Sequence, residues 1–320
     1  MNSKRSILPG VSIVIPVYNS EATIPELCRR VCDSSRELRD AFELILINDG
    51  SSDNSWEVIS RLAATSHQLQ GVNLMRNFGQ HNALLCGIRA ARHDVIVTMD
   101  DDLQHPPEEI SKLLGKLDQG YDVVYGSPEK EQHGLWRDLA SQITKLALRS
   151  AMGATYARDV SAFRAFRCDL REAFANYQGS FVSIDVLLTW ATTRFASVVV
   201  RHEPRASGKS NYTLRKLVIH SLNMMTGFST LPLQFASVVG FIFAFFGIAV
   251  LLFVVLRYLI QGASVPGFAF LASIIAIFAG AQLFALGIIG EYLARMHFRM
   301  MERPAYAVSS RTPVRNYEQP

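Results

Sequence analysis

Short apolar runs alternate with amphipathic stretches over the first 130 residues, and then the pattern changes. Val11-Ser12-Ile13-Val14-Ile15-Pro16, Phe42–Ile47, Gly71–Met75, Asp94–Met99 and Tyr121–Tyr125 are runs of strand length, rich in Val, Ile and Leu. Near-continuous apolar character marks strands buried on both faces. Between them, residues 22–35 carry helical spacing through Ile24, Leu27 and Val31. The spacing resumes near Trp56, Ile59 and Leu62, and His81–Ala91 and Pro107–Leu117 predict two further helices. Strands alternating with helices predict an α/β domain with a mostly parallel, doubly wound sheet.

Beyond residue 230 the pattern is no longer amphipathic. Leu233–Leu256 and Tyr258–Gly290 contain no charged residue, and the second run is interrupted only by the turn-like Gln261-Gly262-Ala263-Ser264-Val265-Pro266-Gly267. A hydrocarbon core about 30 Å thick needs about 20 apolar helical residues. Two transmembrane helices, about 235–259 and 267–292, are therefore expected within 233–294, joined as a hairpin. Two buried core helices would not suit charge-free runs of this length. Arg215 and Lys216 precede the first span, and Arg295, Arg299 and Arg303 follow the second. The positive-inside tendency places both flanks, and so both termini, in the cytoplasm, with 295–320 as a tail. No signal-peptide pattern opens the chain. Gly240/Ala244, Ala276/Gly280, Gly287 and Gly290 allow close packing, within the hairpin or with a second subunit as a homo-oligomer. Arg257 and Glu291 lie at span ends, where charge snorkels.

Two stretches suit the membrane interface. Residues 135–152 place Trp136, Leu139, Ile143 and Leu146 along one stripe. Residues 213–232 place Leu214, Leu217, Val218 and Leu222 on one side, with Arg215, Lys216 and His220 elsewhere. Composition changes this picture little. A hydrophobic fraction of 49% fits a membrane protein, and a net charge of +4 is modest. The basic residues cluster beside the spans instead of along a recognition face, which argues against a nucleic-acid partner. Cys28, Cys32, Cys86 and Cys168 have no metal spacing and are expected as small buried thiols.

Candidate chemistry gathers where strands end. Val95–Met99 runs straight into Asp100-Asp101-Asp102-Leu103-Gln104. Adjacent carboxylates repel unless a cation neutralises them, and the carboxyl ends of strands in an open α/β sheet are where ligands bind. Carboxylates one residue apart with an amide oxygen two further on suit Mg²⁺ or Mn²⁺; a solvated acidic loop before the Pro106-Pro107 helix start is the alternative. Two other strands end in Tyr18-Asn19 and in Asp49–Asp53, and all three ends are expected on one sheet edge. No glycine-rich phosphate loop is present.

The motifs Val11-Ser12-Ile13-Val14-Ile15-Pro16-Val17-Tyr18-Asn19, Asn48-Asp49-Gly50-Ser51-Ser52-Asp53 and Asp100-Asp101-Asp102-Leu103-Gln104-His105-Pro106-Pro107-Glu108 together resemble family-2 glycosyltransferases of the GT-A fold. With the two spans and the closing Gly287-x-x-Gly290-Glu291-Tyr292, the chain is most similar to the polyprenyl-phosphate branch. That branch comprises the dolichol-phosphate mannose synthase relatives and the bacterial undecaprenyl-phosphate transferases of aminoarabinose and glucose. The resemblance covers roughly 10–305. It implies a GT-A catalytic domain over 1–212 and a bacterial inner-membrane location. It also implies a nucleotide-sugar donor, a polyprenyl-phosphate acceptor and Mg²⁺ or Mn²⁺ as cofactor. Pro16, Tyr18, Asn19 and Asp101 would shape the nucleotide pocket and Asp49 would meet the base. Asp100, Asp102 and Gln104 would hold the cation on the diphosphate. Ser161 and Arg164 match the segment that approaches the donor sugar and diphosphate, and His81 is a candidate for facing the sugar.

A lipid phosphate, with a second pKa of about 6, is already an anion at neutral pH and needs no general base. It needs cations beside the membrane. The family's Arg-x-x-Gly-x-Ser-Lys-Tyr pattern appears as Arg205-x-x-Gly208-Lys209-Ser210-Asn211-Tyr212, with the lysine shifted to 209. Arg205 and Lys209 are therefore acceptor-phosphate candidates, as is Arg137. Pro128 stands where many relatives carry arginine, and Lys130 is the candidate substitute. Attraction of this basic loop to anionic headgroups is the alternative reading. A processive polysaccharide synthase is disfavoured because no Gln-x-x-Arg-Trp motif and no further spans occur. A non-catalytic nucleotide-sugar-binding scaffold is disfavoured because the Asp100/Asp102/Gln104 set is complete.

Overall fold

A computed structural model describes residues 8–36, 41–128, 160–179, 182–203, 230–261 and 267–313. Strands β1 (Leu8–Val17), β2 (Phe42–Asn48), β3 (Leu69–Leu74), β4 (His93–Thr98), β5 (Val123–Pro128), β6 (Arg164–Arg167), β7 (Phe195–Val200) and β8 (Val308–Arg311) form one sheet. Their order is β7-β5-β6-β4-β1-β2-β3-β8. Pairs β1–β2, β1–β4, β2–β3 and β5–β7 are parallel. β6 runs antiparallel to β4 and β5, and β8 antiparallel to β3. The sheet is mostly parallel, as expected.

Alternate residues of the central strands face two separate cores. Ile13, Ile15, Leu44, Leu46, Val95 and Val97 pack against α1 (Ile24–Arg36), α2 (Ser55–Thr65) and α4 (Ile110–Leu117). Val14, Ile45, Ile47, Val72 and Ile96 pack against α3 (Gln80–Ala90), α5 (Ile184–Thr189) and the 3-10 turn Cys168–Phe174. Burial on both faces explains the unbroken apolar runs. Cys28, Cys86 and Cys168 are buried thiols, and burial pushes Cys28 up to about 12 and Cys86 up to about 11. Gly87 lets α3 lie close to the sheet: a Cβ there would run into Val14 and come within 2.6 Å of Ile47 Cδ1.

Three strands were not legible. β6 has only four residues, with an arginine at each end, and β7 is buried only at its two ends, with half-buried and exposed positions alternating between them. β8 belongs to the segment expected as a tail. Residues beyond the second span instead return to the sheet. Met75 N donates to Ala307 O (2.9 Å), Thr312 Oγ1 accepts from Gly71 N (2.8 Å), and Asn82 Nδ2 donates to the buried Ala305 carbonyl (2.8 Å). The described residues accordingly fall into two units, within 1–213 plus 302–320 and within 214–301.

The second unit is a pair of helices, α6 (Leu231–Gln261) and α7 (Phe268–Met300). Each contains a window long and apolar enough to cross a membrane. Aromatic contacts join them: Phe235 with Phe284, and Phe243 and Phe246 with Phe278. Gly247 makes room for the Phe278 ring, whose Cζ would lie 2.9 Å from a Cβ at that position. Among the described residues nothing lies within 4 Å of a Cβ built on Gly240, Gly280, Gly287 or Gly290, so these do not supply close packing within the hairpin. The expected interfacial segment 135–152 lies outside the described residues. So does 213–229 of the other, while Leu231 and Pro232 already open α6.

Replacing Gly87 by alanine should destabilise the protein by about 1–3 kcal/mol through overpacking. Thermal unfolding of the detergent-solubilised chain checks this, and an unchanged midpoint would contradict the close approach of α3.

Candidate active site

Register brings the polar strand ends together. Val17 pairs with Asn48 and Val14 with Thr98, so the residues that follow β1, β2 and β4 emerge at one edge. Pro16 is buried beyond the last β1–β4 pair, where its missing N–H interrupts no bond to β4. Tyr18, 49% exposed, stands at the rim. Its N–H donates to Asp101 Oδ2 (3.1 Å), as does the Ser20 hydroxyl (2.6 Å). Asn19 adopts φ +52° and joins the second loop: its N–H donates to Ser51 Oγ (3.0 Å) and its Oδ1 accepts from Ser52 N (2.8 Å). Asp53 accepts from Ser55 N (3.0 Å) and Glu21 N (3.1 Å). Gly50, at φ +65°, lies where any Cβ would collide with the backbone of Arg76 and Asn77.

Asp49 is only 3% exposed, and its carboxylate accepts from Phe78 N (2.7 Å) and Gly79 N (2.9 Å). Burial raises its pKa, opposed by those two N–H groups. Its observed work is to strap down the loop between β3 and α3. Spacing in the sequence could not reveal this partner. Asp101 is likewise pushed up by burial, against the Ser20 and Tyr18 bonds, with Asp102 adding repulsion.

Asp100, Asp102 and Gln104 share the turn after β4. Gln80 Nε2 donates to Asp100 Oδ1 (2.6 Å), and Asp102 Oδ1 accepts from Gln104 N (3.1 Å). Leu103 is buried at φ +59°, a conformation that costs a side-chain-bearing residue about 1–2 kcal/mol. The turn is thus held in an unfavoured backbone state. Its donors are all oxygen, suiting a hard divalent cation. Among the described residues no group of three His, Cys, Asp or Glu side chains could hold a metal. Two carboxylates plus ligand phosphates is the usual arrangement for Mg²⁺, so the residues fit a cation shared with a diphosphate.

Residues 201–203 are fastened alongside this turn. Glu203 N donates to Gln104 O (2.8 Å), and Gln104 Nε2 lies 3.3 Å from His202 Nε2. Arg201 Nε donates to the buried Glu109 (2.8 Å), and Arg30 pairs with both Glu108 (2.8 Å) and Glu203 (3.3 Å). His105 stacks on Phe163, and burial lowers its pKa to about 4, with His202 acting in the same direction. Position in the chain gave no sign of these contacts, which join residues 58 to 173 apart.

Arg164 opens β6 and is buried. It is 1% exposed, and its guanidinium donates to Thr98 Oγ1 (3.0 Å) and pairs with Asp185, which also accepts from Tyr125 OH (3.1 Å). Burial works against its charge, and Asp185, Tyr125 and Asp100 together outweigh it, raising its pKa. It supports the sheet at the end of β4, where Thr98 is its register partner. Ser161 Oγ accepts from Phe163 N (3.2 Å), next to Ala162, whose carbonyl accepts from Thr98 Oγ1 (2.8 Å). His81 Nδ1 accepts from Ile184 N (3.3 Å). Lys130, Arg137, Arg205 and Lys209 lie outside the described residues.

Known proteins match both the sheet and the strand-end motifs. Residues 12–176 match the model of Glycosyl transferase family 2. Three similar relatives are each named undecaprenyl-phosphate 4-deoxy-4-formamido-L-arabinose transferase. The Shewanella sediminis protein is 38% identical over 93% of this chain and 91% of its own. That of Proteus mirabilis is 34% identical over 97% of each, and that of Pseudomonas aeruginosa 36% identical over 93% and 89%. Among solved structures, glucosyl-3-phosphoglycerate synthase from Mycobacterium tuberculosis shares the fold, with a TM-score of 0.50 at 23% identity over 68% of this chain and 78% of that one. The family match, the near full-length relatives and the polar edge of the sheet agree: this chain belongs to glycosyl transferase family 2.

Proposed function

We propose that this glycosyltransferase moves one sugar from a nucleotide-sugar, UDP-linked in preference to GDP-linked, to undecaprenyl phosphate at the cytoplasmic face of a bacterial inner membrane. The observation that carries the reading is the Asp100–Gln104 turn, set at the carboxyl ends of the strands in a chain that also holds a two-helix apolar hairpin. The relatives' shared name supplies the acceptor, and their similarity extends through the hairpin. Because β8 lies in the same sheet as β1–β7, the chain leaves for the hairpin and returns from it on the same body. That supports an even number of crossings, with both flanks on one face; the Arg and Lys flanks favour the cytoplasmic one.

In this reading Pro16, Tyr18 and Asn19 shape the nucleoside pocket, and Asp49 acts through the Phe78–Gly79 loop that it secures. Asp101 holds the β1 loop against the acidic turn. Asp100, Asp102 and Gln104 hold Mg²⁺ or Mn²⁺ on the diphosphate. When bound, the cation supplies positive charge to the departing nucleoside diphosphate. An oxygen of the lipid phosphate bonds to the anomeric carbon as the bond from that carbon to the diphosphate oxygen breaks. The configuration inverts, and no enzyme base removes a proton. Arg205, with Arg137, Lys209 and Lys130, draws the acceptor anion towards the donor. In sequence Arg205 follows Glu203 by two positions, and Glu203 is itself bonded to Gln104.

A panel of radiolabelled nucleotide sugars, incubated with membranes and undecaprenyl phosphate, should give organic-extractable label. 4-Deoxy-4-formamido-L-arabinose, named in the relatives, is the first sugar to try. EDTA should abolish transfer, and excess Mn²⁺ or Mg²⁺ should restore it. Asp102→Ala should lose at least about 100-fold in rate; full activity of that variant would sink the mechanism. Arg205→Ala should raise the KM for undecaprenyl phosphate about 10- to 100-fold, the value of a charge-assisted contact, with donor KM little changed.

A further inference from the structure

A glutamine that meets a hard cation has two ends of nearly equal size, and only the oxygen end binds. In Gln104 the nitrogen end is already committed, 3.3 Å from His202 Nε2. An amide NH₂ only donates, so His202 Nε2 receives this bond as an unprotonated ring nitrogen. In the tautomer that leaves Nε2 bare, this bond occupies the nitrogen end of the amide and leaves the oxygen end for the cation.

His202 is well placed to impose that choice, because its surroundings are fixed on each side. Its ring stands edge-on to His105, with centroids 5.1 Å apart at 71°. The His105 ring in turn stacks on the buried Phe163 at 5.3 Å. In sequence, His202 lies between Arg201, bonded to Glu109, and Glu203, whose N–H donates to Gln104 O and whose carboxylate pairs with Arg30. Residues 201–203 are thus tied to Glu109, to Gln104 and to Arg30 of α1, and the imidazole is presented to Gln104 by the whole segment.

We propose that His202 is a positioning residue that orients the Gln104 amide so that its oxygen is available to the divalent cation. The inference rests on the metal reading given above. Supporting partners of metal ligands typically change metal affinity 10- to 100-fold when removed. His202 is exposed, so substitutions there leave the core intact.

The test measures Mn²⁺ binding directly, by the electron paramagnetic resonance signal of the free ion, on the full chain in detergent with UDP present. His202→Phe keeps a ring against His105 and removes the acceptor. It should weaken Mn²⁺ binding about tenfold without moving the thermal midpoint. His202→Gln offers a side-chain carbonyl to the same NH₂ and should recover most of the affinity. Adding His202→Phe to Gln104→Ala should cost nothing further, because the two act through one bond. Unaltered binding by His202→Phe, alongside weakened binding by Gln104→Ala and Asp102→Ala, would overturn the role of His202 alone. Unaltered binding by Asp102→Ala as well would overturn the metal reading, and this inference with it.

Discussion

Repulsion among Asp100, Asp101 and Asp102 is the constraint around which this edge of the sheet is arranged. Three carboxylates stand on consecutive residues, and Asp102 adds repulsion to the burial that pushes Asp101 up. The fold turns each towards a different partner. Asp100 meets the Gln80 amide, Asp101 the β1 loop, and Asp102 the backbone of Gln104. The left-handed backbone at Leu103 accompanies this fanning out. Strain of this kind persists only where surrounding structure over-determines it. Here that structure is the buried Leu103 side chain and the tied segment 201–203.

Beneath the turn, the sheet supplies a floor that does not shift. Strands buried on both faces fix the register of β1, β2 and β4, because a slip of one residue would exchange their two cores. Arg164, Asp185 and Tyr125 add a buried polar cluster next to β4 and β6. Breaking such a pair leaves an uncompensated charge, so the cluster tolerates little rearrangement. The loops proposed to carry the chemistry are thereby held on strand ends of fixed register.

Much of this arrangement was legible because parallel strands advertise themselves. The runs at 11–16, 42–47 and 94–99 had to be buried on both sides, and the polar residues ending them had to share an edge. Partners were not legible. A run of three aspartates does not say which one bonds to Ser20 or to Gln80, since that depends on loops set by distant residues. The burial of Arg164 was not legible either, since sequence conveys its charge and not its surroundings. The strands β6 and β7 are short or mixed in pattern, and β8 follows two long apolar helices, where local periodicity predicts only a tail.

The return of β8 bears on how the molecule is assembled. Gly71 and Thr312 are bonded across 241 residues of chain, with both apolar helices lying between them. During synthesis β3 leaves the ribosome early, and its edge stays unpaired until the helices have been made and the segment beyond them has emerged. An open strand edge is an invitation to mispairing, and contacts this distant form slowly. Completion of the sheet is therefore a late event that follows synthesis of the helical pair. The last strand acts as a fastener that closes only on a chain whose hairpin is already in existence.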